Sequence, residues 1–318
     1  MNKTSIKNYA IWARNELIGR VSQKAFEYGV EKDNIIPSDV DSISGRLLSE
    51  DEKKKRQVLI NEVKHKGYEQ VIEEVAYTWF NRFIALRFME VNNYLPDKVR
   101  LFTNENNEFK PQILDEALHI ELAGLEKSKI IALKEANNNE ELYKGLLLAT
   151  CNDMYRYLPG MFKPISDYMI LLFPSNLLRE ESVLGRLITD IDEDSWTDQV
   201  QIIGWLYQYY NTEPKDEVYA RKSGTKIKKE EIPAVTQIFT PDWIVRYMTE
   251  NTLGSVWIEG HPGTDIQSIW KYYLDESEQE KSVQIELNKI KAEHAKLKPE
   301  DIKFLENCTT SLIRIAAA

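Results

Sequence analysis

The stretch best suited to chemistry in this chain is Gln237-Ile238-Phe239-Thr240-Pro241-Asp242-Trp243-Ile244-Val245-Arg246-Tyr247-Met248. It reads as an extended entry into a helix start. Thr240 has a hydroxyl for capping the first turn. Pro241 suits the first helical position, where no amide hydrogen is needed. Asp242 adds negative charge at the positive end of the dipole. Ile244, Val245 and Met248 then follow at helical spacing, Leu253 continues the stripe, and Gly254 reads as the stop. The free amides of such a start hold an anion such as a carboxylate, and Phe239 stands where it can cover an apolar or aromatic group. The same aromatic-Thr-Pro-Asp pattern also occurs as plain capping in unrelated proteins.

A second candidate is the basic, apolar-poor run Arg221-Lys222-Ser223-Gly224-Thr225-Lys226-Ile227-Lys228-Lys229. Phosphate contact needs lysine and arginine and little else, so Lys226, Lys228 and Lys229 are candidates for the backbone of DNA. The other reading, a solvated linker, fits the composition equally. Lys53-Lys54-Lys55-Arg56 follows three acidic residues and reads as a solvated helix face rather than a phosphate patch. The four histidines pair neither with each other nor with cysteine at metal-ligand spacing, so no metal site is expected. There is no Gly-x-Ser-x-Gly elbow and no phosphate loop. The residues alone identify no catalytic group.

Length and composition bound the rest. The chain has 318 residues, 42% apolar and 29% charged, enough for two globular domains. No run approaches the length of a membrane span, no export signal opens the chain, and two distant cysteines make no disulfide framework. A cytoplasmic protein is expected. The net charge of −10 excludes DNA binding over the whole surface and leaves only local patches for it. The same acidity suits a protein-binding module.

The elements that must position these residues are helices. Periodicity predicts one over 1–28 and another over 49–66, opened by the capping box Ser49-Glu50-Asp51-Glu52. The stretch 68–95 is apolar over more than half its circumference, which marks it as the spine of an N-terminal helical domain, with Arg82 and Arg87 in structural pairs. Further helices are expected over 112–123, 126–136, 139–158, 175–190 and 195–211, the last carrying a core aromatic cluster. Residues 29–48 read as a connector, 97–112 as a loop, and 212–234 as a linker. Ile302-Lys303-Phe304-Leu305 reads as a strand.

Three ordered stretches, Ala76 to Pro96, Ile202 to Asn211 and Thr236 to Gly254, resemble the PglX family of adenine-specific DNA methyltransferases from BREX phage-defence systems. More distantly they are similar to the long restriction-modification methyltransferases. The resemblance covers most of residues 1–305. It implies a mainly α chain: a helical N-terminal domain over 1–225, then the beginning of a Rossmann-like α/β methyltransferase domain over 226–318. It implies transfer of methyl from S-adenosylmethionine to the exocyclic N6 amine of adenine, after the base is flipped from the duplex. By residue match, Phe239, Thr240 and Pro241 line the methionine end of that cofactor. DNA, other BREX proteins and the missing C-terminal methyltransferase half are the implied partners, with no membrane.

The chain departs from the family after residue 305. Glu306-Asn307-Cys308-Thr309-Thr310-Ser311 replaces an acid, a proline and a glycine-bearing turn; Glu306 stands for the acid and Ser311 falls where a serine is expected. The catalytic Asn/Asp-Pro-Pro-aromatic motif occurs nowhere. The expectation is the N-terminal part of a methyltransferase, whether truncated, frameshifted or the first part of a split gene, and inactive alone. The alternative is a non-catalytic interaction module that binds a defence-system partner or a phage inhibitor.

Overall fold

A computed structural model describes residues 2–298 apart from 123, 198, 223 and 237. They divide into two compact units between residues 237 and 238. In the first unit α1 (Lys3–Glu27), α2 (Glu50–Lys66) and α3 (Tyr68–Val91) are followed by α4 (Gln112–Asp115), α5 (Lys127–Glu135) and α6 (Asn139–Met154). Then come α7 (Asp167–Leu171), α8 (Val183–Asp190), α9 (Gln201–Tyr210), α10 (Thr212–Tyr219) and α11 (Ile232–Thr236). The strands among the described residues are β1 (Ser42–Ile43) and β2 (Arg46–Leu47), an antiparallel hairpin. Its turn residues Ser44 and Gly45 both have positive φ, which a two-residue turn between twisted strands requires. The chain is therefore mainly α, as expected. The strand expected at Ile302–Leu305, with Glu306 and Ser311, lies outside the described residues.

The periodic apolar pattern decides which faces are buried. Tyr9, Ala10, Ala13, Leu17, Val21 and Ala25 of α1 are buried, and the Tyr9 hydroxyl donates to the Val183 carbonyl at 3.0 Å. α1 packs on α3, α8 and α9. Around α3, sixteen of 24 residues are buried, which makes it the central helix of the unit. Its C-terminal half carries charge into the core. The Glu90 carboxylate accepts from the Arg87 guanidinium (2.5 Å), the Leu101 and Phe102 amides (2.5 and 2.7 Å) and the Thr103 hydroxyl (3.0 Å). Arg87 also reaches Glu193 at 3.2 Å. These bonds fix the segment after α3, which has no helix of its own to hold it. Arg82 is buried with no carboxylate partner among the described residues and donates to the Lys163 carbonyl.

Two expectations change here. The capping box on α2 forms, and Lys53 and Lys55 make surface pairs with Asp41, Glu50 and Asp51. Arg56, however, is buried rather than solvated. It donates to the carbonyls of Tyr28, Ile36 and Pro37 and so anchors the connector onto α2. Residues 212–234 are not a bare linker either: they hold α10 and most of α11, and Ala234 is buried. Arg221 and Glu231 close this segment with a bidentate pair at 2.7 and 2.9 Å.

The second unit contains α12 (Asp242–Asn251), α13 (Leu253–Gly260) and α14 (Lys281–His294). Side chains at the end of α12 organise it. Buried Glu250 accepts the Tyr272 amide at 2.6 Å. The Asn251 amide donates to the Tyr272 carbonyl (2.8 Å), and its oxygen accepts from the Leu274 amide (2.9 Å). Gly254 does not end the helix as expected. It lies in α13, where an added Cβ would stand 2.6 Å from the Trp270 ring. The glycine therefore serves close packing rather than chain reversal.

Candidate functional site

The turn before α12 combines an apolar wall with unused donors. Phe239 is buried, and Thr240 and Pro241 are half-buried. Pro241, with ψ 141°, is the N-cap itself, and no side chain caps the helix. The helix thus starts one residue later than the sequence predicts. That shift leaves Thr240 outside the turn, and its hydroxyl makes no hydrogen bond among the described residues. The amides of Ile244 and Val245 bond back to the Pro241 carbonyl at 3.0 and 3.3 Å. Those of Asp242 and Trp243 have no such partner among the described residues, as the first turn of any helix requires. Asp242 pairs with Arg246 at 2.7 Å, which neutralises the charge that would otherwise repel an anion at this end.

A hydroxyl, two free amides and the positive end of a ten-residue helix form a donor set that suits a carboxylate. The buried Phe239 ring lies beside it in sequence. The residues present therefore fit the amino-acid end of a cofactor such as S-adenosylmethionine. Three large apolar side chains of α12 are exposed beside Arg246: Trp243, Tyr247 and Met248, at 55%, 42% and 57%. Met248 was expected to pack in the stripe with Ile244 and Val245, which are half-buried.

Lys226, Lys228 and Lys229 are all exposed in the first unit. They are not equivalent. The Lys228 amide donates to Glu231 at 2.8 Å, and its ammonium lies near enough to Glu69 to lower that carboxyl's pKa, behind the larger contribution of Lys32. Lys226 and Lys229 form no ion pair among the described residues. The basic run is in this way partly committed to its own fold.

A cleft of about 1020 Å³ lies in the first unit between the start of α3, α9 and the α10–α11 segment, and no local pattern announces it. Tyr77 and Tyr207 lie on its wall with ring centroids 5.6 Å apart. Glu73, one turn before Tyr77, is held by Arg14 at 2.7 and 3.1 Å. Burial raises the Glu73 carboxyl above its ordinary range against the pull of Arg14, and the charge of Glu217 raises it further. The residues reach one place from four elements, a juxtaposition that no local spacing encodes. Among the described residues no cluster of His, Cys, Asp or Glu could hold a metal ion, and no helix is long and apolar enough to cross a membrane. His261 stacks on Trp257, with centroids 4.0 Å apart, and His294 bonds Glu259 at 2.8 Å.

No protein-family profile matches the chain. It is similar to the adenine-specific methyltransferase BrxX of Escherichia coli O9:H4 (strain HS), with 36% identity over 320 residues. It is also similar to the adenine-specific methyltransferase PglX of Lacticaseibacillus casei (strain Zhang), with 37% identity over 343 residues. Both alignments take in 96% of this chain but only 26% and 28% of the relatives. The chain spans about a quarter of the length of the curated relatives it matches.

Proposed function

From the premise that this chain belongs to the PglX/BrxX family of adenine-specific methyltransferases, we propose that it serves methylation of adenine N6 in DNA, as the helical part and the first edge of a Rossmann-like methyltransferase domain. The observation that carries the reading is identity of 36–37% across nearly the whole chain, through both units. In this reading residues 1–225 form the helical domain, and 226–318 open the methyltransferase domain. S-adenosylmethionine, when bound, supplies a methyl group activated on its sulfonium. Thr240 and the free amides of α12 hold its carboxylate, while Phe239 and Pro241 shape the wall beside it. Lys226, Lys228 and Lys229 touch phosphates, which contributes affinity without sequence preference. The setting is a cytoplasmic phage-defence system of the BREX kind, with other BREX proteins and the C-terminal methyltransferase half as partners.

The 318 residues contain no Asn/Asp-Pro-Pro-aromatic motif to grip the target amine, so this chain alone transfers no methyl group. Incubation with duplex DNA and methyl-labelled S-adenosylmethionine should leave the DNA unlabelled. Turnover by the chain alone would overturn this assignment of parts. Changing Lys226, Lys228 and Lys229 together to alanine should weaken DNA binding at low salt equally for all sequences. Unchanged binding removes the phosphate role.

The cleft favours a second reading, a non-catalytic module that binds a defence-system partner or a phage inhibitor. Its tyrosines and carboxylates are a surface for protein contact whether or not methyl transfer occurs.

A further inference from the structure

The charges around the cleft do not balance. Five cations (Arg14, Lys32, Lys66, Arg221 and Lys228) line it, and seven carboxylates lie on it or share those cations. Arg14 is taken by Glu73 and Glu213, Lys32 by Glu69, Lys66 by Glu62 and Glu74, and Arg221 by Glu231. Glu217 is left exposed on α10, with no hydrogen bond or ion pair among the described residues. It is near enough to Glu73 to raise that carboxyl and also lies within the electrostatic reach of Arg221.

The uncharged part of the wall has the same preference. Tyr77 and Tyr207 present half-buried aromatic rings, and neither hydroxyl has a hydrogen-bond partner among the described residues. Tyr210 packs behind Tyr77 at 5.4 Å, and its buried hydroxyl is also unpartnered. Aromatic faces beside a free carboxylate attract a cation both through the ring quadrupole and through charge-assisted hydrogen bonds. Of the lining cations only Lys228 makes no ion pair among the described residues, against seven carboxylates on or beside the cleft.

We infer that this cleft is a docking site for a basic side chain, lysine or arginine, presented by a segment of another polypeptide. Its size favours a polypeptide over a free polyamine. A volume of about 1020 Å³ holds several residues rather than one thin chain. Tyr219, Ile227 and Ile232 are 65%, 48% and 47% exposed, and they neighbour the wall residues Val218, Lys228 and Pro233 in sequence. The inference gives chemical identity to the partner in the second reading and does not depend on methyl transfer.

The test uses the full chain and a fluorescein-labelled peptide, Gly-Leu-Arg-Leu-Arg-Leu-Gly, in fluorescence anisotropy at low salt. The variants are Glu217→Gln and Tyr207→Ala, with Glu105→Gln, an exposed carboxylate outside the cleft, as control. Binding should weaken about tenfold in Glu217→Gln and by a similar factor in Tyr207→Ala, with no change in Glu105→Gln. The same peptide with glutamine at both arginine positions should bind at least tenfold more weakly. Circular dichroism confirms folding of each variant, and the exposed Glu217 site keeps the test valid if Tyr207→Ala fails to fold. Equal loss in Glu105→Gln marks diffuse attraction to an acidic protein and overturns the site. So does binding indifferent to Glu217. Spermine binding as tightly as the peptide overturns the polypeptide as the source of the cation.

Discussion

Replacing Glu90 by glutamine tests the account of the core most severely, because the side chain keeps its size and loses only its charge. One Glu90 oxygen accepts from the Leu101 and Phe102 amides, and the other from Arg87 and Thr103. Every group around the carboxylate in this list donates. Whichever way the new amide turns, its NH2 faces donors, and Arg87 keeps only Glu193 at 3.2 Å as a carboxylate partner. Breaking a buried pair by removing one partner costs about 3–5 kcal/mol. For a unit of this size each kcal/mol lowers the melting temperature by about 2–4 °C, so Glu90→Gln should melt roughly 6–20 °C below the wild type. Glu193, partly exposed at 26%, should cost about 1 kcal/mol when changed to glutamine. Calorimetry or thermal circular dichroism on the two variants decides it. If Glu90→Gln lies within about 1 kcal/mol of wild type, the bonds into 101–103 do not hold that segment and the reasoning fails.

Two further outcomes follow from burial and charge. Burial raises the Glu52 carboxyl, but the Arg46 pair, the Ser49 amide and the Tyr28 hydroxyl outweigh it and hold the group at about 2. A lowered carboxyl stabilises the fold above its unfolded value near 4.5 and loses that contribution as pH falls toward 2. Urea midpoints of Glu52→Gln should therefore be flatter than wild type between those pH values; parallel curves would refute the pairing. Burial pushes the Cys151 thiol up to about 11 against the influence of Arg82. Its peptide should resist maleimide at pH 8 until denaturant is added, as read by mass spectrometry. Rapid labelling of the folded chain would place Cys151 outside the core.

How much was legible in the sequence depends on the range of the interaction. α1, the Ser49 cap of α2 and the buried spine α3 were readable because periodicity and capping act within a few residues. Arg56 was misread because its three carbonyl partners come from 28–37, and no pattern beside it announces them. The segment 212–234 has the composition of a linker, yet a pair ten residues apart folds it back on itself. The turn at 239–241 was located correctly in sequence but not in hydrogen bonding. Thr240 carries the right side chain for capping, and the extended Pro241 takes the boundary position from it. The cleft had no local signal at all, since Glu73, Tyr77, Tyr207 and Glu217 come together only when α3, α9 and α10 pack.

That small displacement of Thr240 leaves its side chain available for the proposed carboxylate contact. A threonine bonded to its own helix would have its acceptor engaged and its rotamer fixed by the turn. Here the hydroxyl is free to donate outward, and the amides of Asp242 and Trp243 remain open beside it. A turn with unused donors needs its helix held from elsewhere, since no side chain caps it. The other end of α12 supplies that hold: Glu250 and Asn251 bond the backbone at Tyr272 and Leu274. A cap at Thr240 would stabilise the helix at the expense of the proposed anion contact. Fixing α12 at residues 250–251 keeps the helix in place and leaves its N-terminal donors unengaged.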